Sequence, residues 1–275
     1  MTPQSFPFVD LDLARRLEGT EGHANAKFVE SRARRVPETG ACWTEVAGTY
    51  GLFDGVGSPC TQTFRLGMFE PVTDSALDTL ETFFASRGSD TFHEVSPLAD
   101  PSALTLLNAR GYRPCELTSV LFQPLPISGD DLASQNLIVG RIAPTEQGLW
   151  AETAVRGWGA SAELREFMSS FGSTSAGAED TYPFLATLDG APVATGSLVM
   201  CNDVALLAGA STVPEARGRG AQRALLGARL RFASSMGCTI AMMCAAPGSS
   251  SQRNAERSGF RIAYTRVKWH KALAG

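Results

Sequence analysis

"STVPEARGRGAQRALL", residues 211–226, places three arginines and two glycines where an apolar, strand-like run gives way to a helical pattern. The run that leads into it, "VALLAGASTV" (204–213), is bounded by turn residues, and the run that follows repeats Leu225, Ala228, Phe232 and Met236 at helical spacing. A helix that starts directly after a strand leaves its first backbone N–H groups unbonded and its dipole directed out of the turn. Gly218 and Gly220 carry no side chain that would keep a phosphate-sized anion away from those groups. A tight turn alone accounts for the glycines but not for the arginines beside them, so the stretch predicts an anion site over Arg217–Gln222.

The neighbourhood agrees. Between Ala216 and Ala255 there is no Asp or Glu, while six arginines occur: Arg217, Arg219, Arg223, Arg229, Arg231 and Arg253. Arg229 and Arg231 read as exposed arginines on a solvated helix face. The chain as a whole has 275 residues and a net charge of −4, so this basic zone is local. That balance argues against general binding of nucleic acid or an anionic membrane surface, which needs a broad basic field. No run approaches the roughly 18 apolar residues of a membrane span, and the first residues lack a leader pattern, so a cytoplasmic location is expected. Six cysteines and three histidines are scattered without metal-ligand spacing, and no metal is expected.

Two common nucleotide motifs are excluded. A phosphate loop needs G-x-x-x-x-G-K-[ST], and no such lysine occurs here; a dinucleotide fingerprint needs a third glycine and a later acid, both missing after Gly218-Arg219-Gly220.

The chain also repeats its own grammar. "LDTLETFFASRGSDTFHEVSPLADPSALTLLNARGYRPCELTSVLFQPL" and "LGARLRFASSMGCTIAMMCAAPGSSSQRNAERSGFRIAYTRVKWHKAL" each give an apolar helix, a Gly cap, a short strand, a second helix and a Gly-aromatic pair. Gly88 and Gly237 are 149 positions apart and Gly111 and Gly259 are 148 apart, which predicts a duplicated domain. The division expected is 1–125, a linker at 126–135 within "QPLPISGDDLASQ", and 136–275. The first part reads as a helix over Leu11–Arg35 and strands near Cys42–Val46 and Cys60–Met68. The second reads as a strand in "NLIVGRIA", helices around Trp150–Trp158 and Leu164–Phe171, and strands "TYPFLATL", "PVATGSLVM" and "VALLAGASTV".

Over residues 137–275 this pattern resembles the GNAT N-acetyltransferase superfamily, whose signature is [QR]-x-x-G-x-[GA]. Arg217, Gly218, Arg219 and Gly220 match it, whereas Gln222 stands where the family has Gly or Ala. Over residues 1–122 only the helix-strand-helix-Gly-aromatic pattern is similar, so the whole resembles a tandem GNAT protein with a degenerate first copy. The fold implied is α/β: two GNAT-like domains, each a mixed, mostly antiparallel sheet flanked by helices. The resemblance further implies that the backbone of Ser211, Thr212 and Val213 binds the pantetheine arm of acetyl-CoA. The turn Arg217, Gly218, Arg219, Gly220, Ala221 and Gln222 would hold its pyrophosphate, and Asn254 is a further coenzyme contact.

The implied reaction is acetyl transfer to an amine, with a small molecule as the expected acceptor and either a monomer or a homodimer as the acting species. The family's usual tyrosine acid is replaced by Ala255, and "VALLAGAST" contains no carboxylate base. Substitute candidates are Ser250, in the serine loop where the thiol would emerge, and His93 and Glu94 on the matching strand of the first copy. Trp150 and Trp158 read as core residues that could also reach substrate. A non-catalytic acyl-CoA sensor or scaffold is the alternative from another functional class.

Overall fold

The computed structural model describes residues 5–127, 136–159 and 165–273; positions 128–135 of the expected linker, and Leu164, lie outside the described residues. The first element is helix α1 (Leu11–Arg35), capped by Asp10, whose carboxylate accepts from the Leu13 N–H at 2.9 Å. Arg32, Arg34 and Arg35 in its last turn complement the helix dipole. A tight turn at Ala47-Gly48, both with positive φ, joins β1 (Cys42–Val46) to β2 (Thr49–Phe53). β3 (Gln62–Phe64), α2 (Asp74–Ala85), β4 (Thr91–Val95), α3 (Ser102–Ala109) and β5 (Arg113–Pro124) follow.

The later elements start with β6 (Leu137–Arg141), α4 (Gln147–Trp158) and α5 (Arg165–Ala176). Three antiparallel strands follow: β7 (Thr181–Leu188), β8 (Ala191–Cys201) and β9 (Val204–Thr212). Asp189-Gly190 takes positive φ at both positions of its turn, and Asn202 does so in the next. α6 (Ala221–Ser235), β10 (Ile240–Ala245), α7 (Ser250–Arg257) and β11 (Arg261–Lys271) complete the chain.

These elements form two compact units, and the second is not simply the second half of the sequence. Residues 6–122 join with 244–273 in one unit, and the described residues of 123–243, with Ser5, make the other. In the former the strand order is β1-β2-β3-β4-β11-β5, so the last strand lies between two strands of the first half. β11 is antiparallel to both neighbours: Trp269 pairs with His93 of β4, and Val267 pairs with Leu117 of β5. Trp269 then completes a core with Leu66, Leu77, Leu80, Val95, Leu107 and Tyr112.

Alternate residues of β11 point to the other face, toward α1, where a buried polar cluster forms. Arg266, 1 % exposed, lies 2.8 Å from Glu21, 3.4 Å from Glu18 and 3.6 Å from Glu94, and the Tyr264 hydroxyl donates to Glu18 at 2.8 Å. Burial pulls the Arg266 pKa down, but Glu21 and Glu18 more than offset this and hold it above its usual value. Burial raises the Glu18 and Glu94 carboxyls. The sequence marks Arg266 as one polar residue of a strand, whereas the structure makes it the charge that ties β11 to α1 and β4.

The unit of residues 123–243 has the strand order β10-β9-β8-β7-β6. β9 and β10 are parallel, the others antiparallel. Trp150 is fully buried with Ala154, Ala176 and Leu185, and its indole N–H donates to the Phe184 carbonyl at 2.9 Å, which is a core role.

Candidate functional site

β9 is held along one edge by β8 and on the other only briefly by β10. The β10 pairing runs from Val204 to Leu206 and stops there, although β9 continues to Thr212. Residues 207–212 thus have a backbone edge not paired to β10, and Ala208 and Ala210 are exposed. The β8 side is interrupted by a bulge: three positions of β8, Thr195 to Ser197, face four of β9, Ser211 to Ala208. Gly209 occupies the bulge with φ +62°. Thr195 steadies it, with its hydroxyl 2.7 Å from Ser211 Oγ and 3.3 Å from the Gly209 carbonyl.

After β9 the chain makes one 3-10 turn at Pro214–Ala216 and passes through Gly218 (φ +76°) and Gly220 (φ +83°) into α6. Among the described residues, the backbone N–H groups of Gly218, Gly220, Ala221, Gln222 and Arg223 find no acceptor, and no side chain caps the helix. A Cβ built on either glycine meets nothing within 4 Å, so no packed neighbour crowds these two positions. Arg219 and Arg223 are exposed beside them. An uncapped helix of this length with exposed cations at its start is an anion cradle on physical grounds.

Two side chains brace the turn. Arg217 donates to the carbonyls of Thr212 (3.3 Å) and Gly157 (3.1 Å), linking the end of β9 to the last turn of α4. Gly157 allows that approach, because a Cβ there would sit 2.5 Å from Ser211 Oγ. Gln222, the departure from the signature, donates its amide to the Ser211 carbonyl and, at 3.4 Å, to that of Thr195. Its side chain is thus directed at the middle of β8 and the end of β9.

The corresponding turn of the other unit is built differently. Arg65 (φ +73°) lies between the rings of Tyr50 and Phe69, 4.2 Å from each centroid. The start of α2 is capped by the Thr73 hydroxyl, which accepts from Ala76 N, and Asp74 occupies its first turn. A capped helix start with a carboxylate beside it does not attract a phosphate.

The structure gathers Ser211, Thr212, Val213 and Arg217–Gln222 in the unit of residues 123–243. His93, Glu94, Ser250 and Asn254 belong to the other unit. His93 is fully buried, its Nδ1 is 2.7 Å from Thr63 Oγ1, and burial, aided by Lys271, lowers its pKa to about 3. Glu94 is buried against Arg266 and Lys268. Ser250 is exposed in the first turn of α7, whose cap is Ser249, and Asn254 is exposed on the same helix. Among the described residues no group of three or more His, Cys, Asp or Glu is placed to hold a metal ion, and no helix is long and apolar enough to cross a membrane.

One residue read as surface is not. Arg229 is 2 % exposed beneath β8 and β9, because α6 turns that side chain inward. The signal for it is Gly196, a glycine inside a strand pattern, which marks a place where another group comes close.

Residues 149–260 match the Acetyltransferase (GNAT) family. Among curated proteins none matches. Solved structures are similar in fold at low identity. A GCN5-related N-acetyltransferase from Kribbella flavida has a TM-score of 0.60 at 19% identity, covering 91% of this chain and 96% of its own. A tandem GNAT protein from the clavulanic acid biosynthesis pathway has a TM-score of 0.56 at 14% identity, covering 84% and 80%. A putative GNAT-family acetyltransferase from Novosphingobium aromaticivorans has a TM-score of 0.54 at 15% identity, covering 92% and 100%.

Proposed function

We propose, from the match of residues 149–260 to the Acetyltransferase (GNAT) family, that the chain moves an acetyl group from acetyl-CoA to an amine of a small molecule. The observation that carries the reading is the set of five backbone N–H groups, those of Gly218, Gly220, Ala221, Gln222 and Arg223, that find no acceptor among the described residues at an uncapped helix start. They suit the pyrophosphate, with Arg219 and Arg223 adding charge. The backbone of Ser211, Thr212 and Val213 suits the pantetheine arm, since the edge of β9 beyond Leu206 is free of β10. Asn254 is kept as a further coenzyme contact.

In the reaction the amine nitrogen attacks the thioester carbon and the carbon–sulfur bond breaks. The amine gives up a proton and the coenzyme thiolate gains one. Binding both reactants together and donating an N–H from β9 to the developing oxyanion supply rate without an ionisable side chain. Ser250 remains the exposed candidate for a proton-transfer role, whereas the burial of His93 and Glu94 makes them poor ones.

Calorimetric titration with acetyl-CoA tests the assignment, and one site per chain is expected. Two sites would mean that the turn containing Arg65 also binds, and no binding would remove the anion assignment. A second reading, a non-catalytic acyl-CoA sensor, is favoured by one observation: β9 from 207 to 212 holds no ionisable side chain and Ala255 is buried. Thiol release from acetyl-CoA above the blank, with any member of an amine panel, excludes it.

A further inference from the structure

Among the described residues, Arg229 is a buried cation without an acidic partner. Among the described residues its guanidinium bonds only to carbonyls: Nη1 to Ser197 (2.9 Å) and Ala208 (3.3 Å), and Nε to Leu225 (3.3 Å). Burial lowers its pKa to about 10, so it keeps its charge at neutral pH. Taking an unpaired charge out of water is unfavourable, and a Met or Leu would fill the same space without that cost. Stability alone therefore does not explain an arginine here.

Its position does. Ser197 and Ala208 face each other across β8 and β9 at the last regular pair before the bulge. Opposite the bulge stands Gly196, where a Cβ would lie 2.7 Å from the Arg229 guanidinium carbon. The bulge residue Gly209 is closed in as well, since a Cβ there would be 3.0 Å from Ser197 Oγ and 3.2 Å from the Trp150 ring. Two glycines thus make room for one arginine and one bulge. A trans peptide is planar, with its C=O and N–H antiparallel. When Arg229 draws the Ala208 carbonyl toward itself and β8, the N–H of Gly209, in the same peptide unit, is turned the opposite way. That is the side of β9 that β10 leaves unpaired beyond Leu206.

We propose that Arg229 is a positioning residue for acyl transfer: it fixes the 208–209 peptide and polarises it, so that the Gly209 N–H is aimed at the thioester oxygen. The inference rests on the acetyl-transfer reading above. Charge gathered on the Ala208 carbonyl makes the linked N–H a stronger donor, and a cation behind that peptide favours the negative charge developing on the substrate oxygen.

The test needs no acceptor. Acetyl-CoA labelled with ¹³C at the thioester carbonyl is bound to the full chain, and its carbonyl stretch is read by infrared difference spectroscopy beside a calorimetric affinity. In the unaltered protein the band is expected to move to lower frequency on binding. Arg229→Met is expected to bind within about threefold of the same affinity, since the phosphate turn is untouched, and to lose at least half of the shift. A full shift in Arg229→Met overturns the proposal. If that variant does not fold, Arg229→Lys decides: one ammonium on a flexible stem cannot hold two carbonyls as the planar guanidinium does, and a reduced shift is expected. A full shift with lysine overturns the proposal in turn. If the unaltered protein fails to bind acetyl-CoA, the transfer reading itself falls and this inference with it.

Discussion

Gly220 combines a left-handed backbone (φ +83°) with an empty space where a side chain would go. A valine there adds backbone strain of about 1–2 kcal/mol and covers the N–H groups of α6. Gly220→Val is expected to weaken acetyl-CoA binding at least tenfold by calorimetry. Gln222→Ala removes a donor to Ser211 and Thr195. It is expected to cost about 1 kcal/mol in thermal stability and to change coenzyme affinity less than threefold. Glu18 makes a pH prediction. Burial raises its pKa, so the folded state holds a proton more tightly than the unfolded state, and stability falls as pH rises through the window above its ordinary value of 4.5. Melting curves of Glu18→Gln and the unaltered protein should nearly coincide at pH 4 and separate toward pH 7, with the glutamine variant the more stable. The anion turn was legible because glycines, arginines and the strand-to-helix change coincide within a few residues. Arg229 was not, because nothing local distinguishes an inward arginine from an outward one.

The starts of α2 and α6 show how little sequence separates a closed helix end from an open one. α2 has Thr73 as cap and Asp74 behind it; α6 has Gly220 and no acid. Thr73→Ala should cost about 1 kcal/mol of stability and leave coenzyme affinity unaltered. Arg65→Ala should likewise leave binding unchanged by calorimetry, because its guanidinium is engaged with Tyr50 and Phe69. Elements with strong local signals were readable: α1, whose expected span Leu11–Arg35 is the observed one, and the β7-β8 and β8-β9 turns at Asp189-Gly190 and Asn202-Asp203. β2 was missed. "TYGLF" is short and carries a glycine, and its turn at Ala47-Gly48 lacks the Asn or Asp that usually announces such a hairpin. The β9 bulge also left no clear trace beyond Gly209, since register depends on a partner strand rather than on the strand itself.

For the molecule as a whole, the decisive feature is where β11 goes. Local pattern shows a strand after Gly259-Phe260 but not its partners, and pairing with β4 and β5 is set by contacts 139 or more positions away in sequence. Trp269 lies in the core of the unit containing residues 6–122. Trp269→Ala should therefore cost about 3–5 kcal/mol, and hydrogen exchange should show protection lost first in residues 91–95 and 113–122 rather than in β7 to β9. Removing Arg266 leaves two buried carboxylates, Glu18 and Glu94, and the partly buried Glu21 around a missing charge, and Arg266→Met is expected to cost a similar amount. The placement of β11 also bears on how the chain is made. Synthesis runs from residue 1 onward, and domains ordinarily fold as they emerge. Here the early unit cannot close until its last strand has left the ribosome, so β4 and β5 wait with open edges while everything between them and β11 is translated. Exposed strand edges invite pairing with other chains. A nascent chain arrested before residue 261 should accordingly be cut by protease within residues 6–122, and release of the full chain should abolish that cleavage.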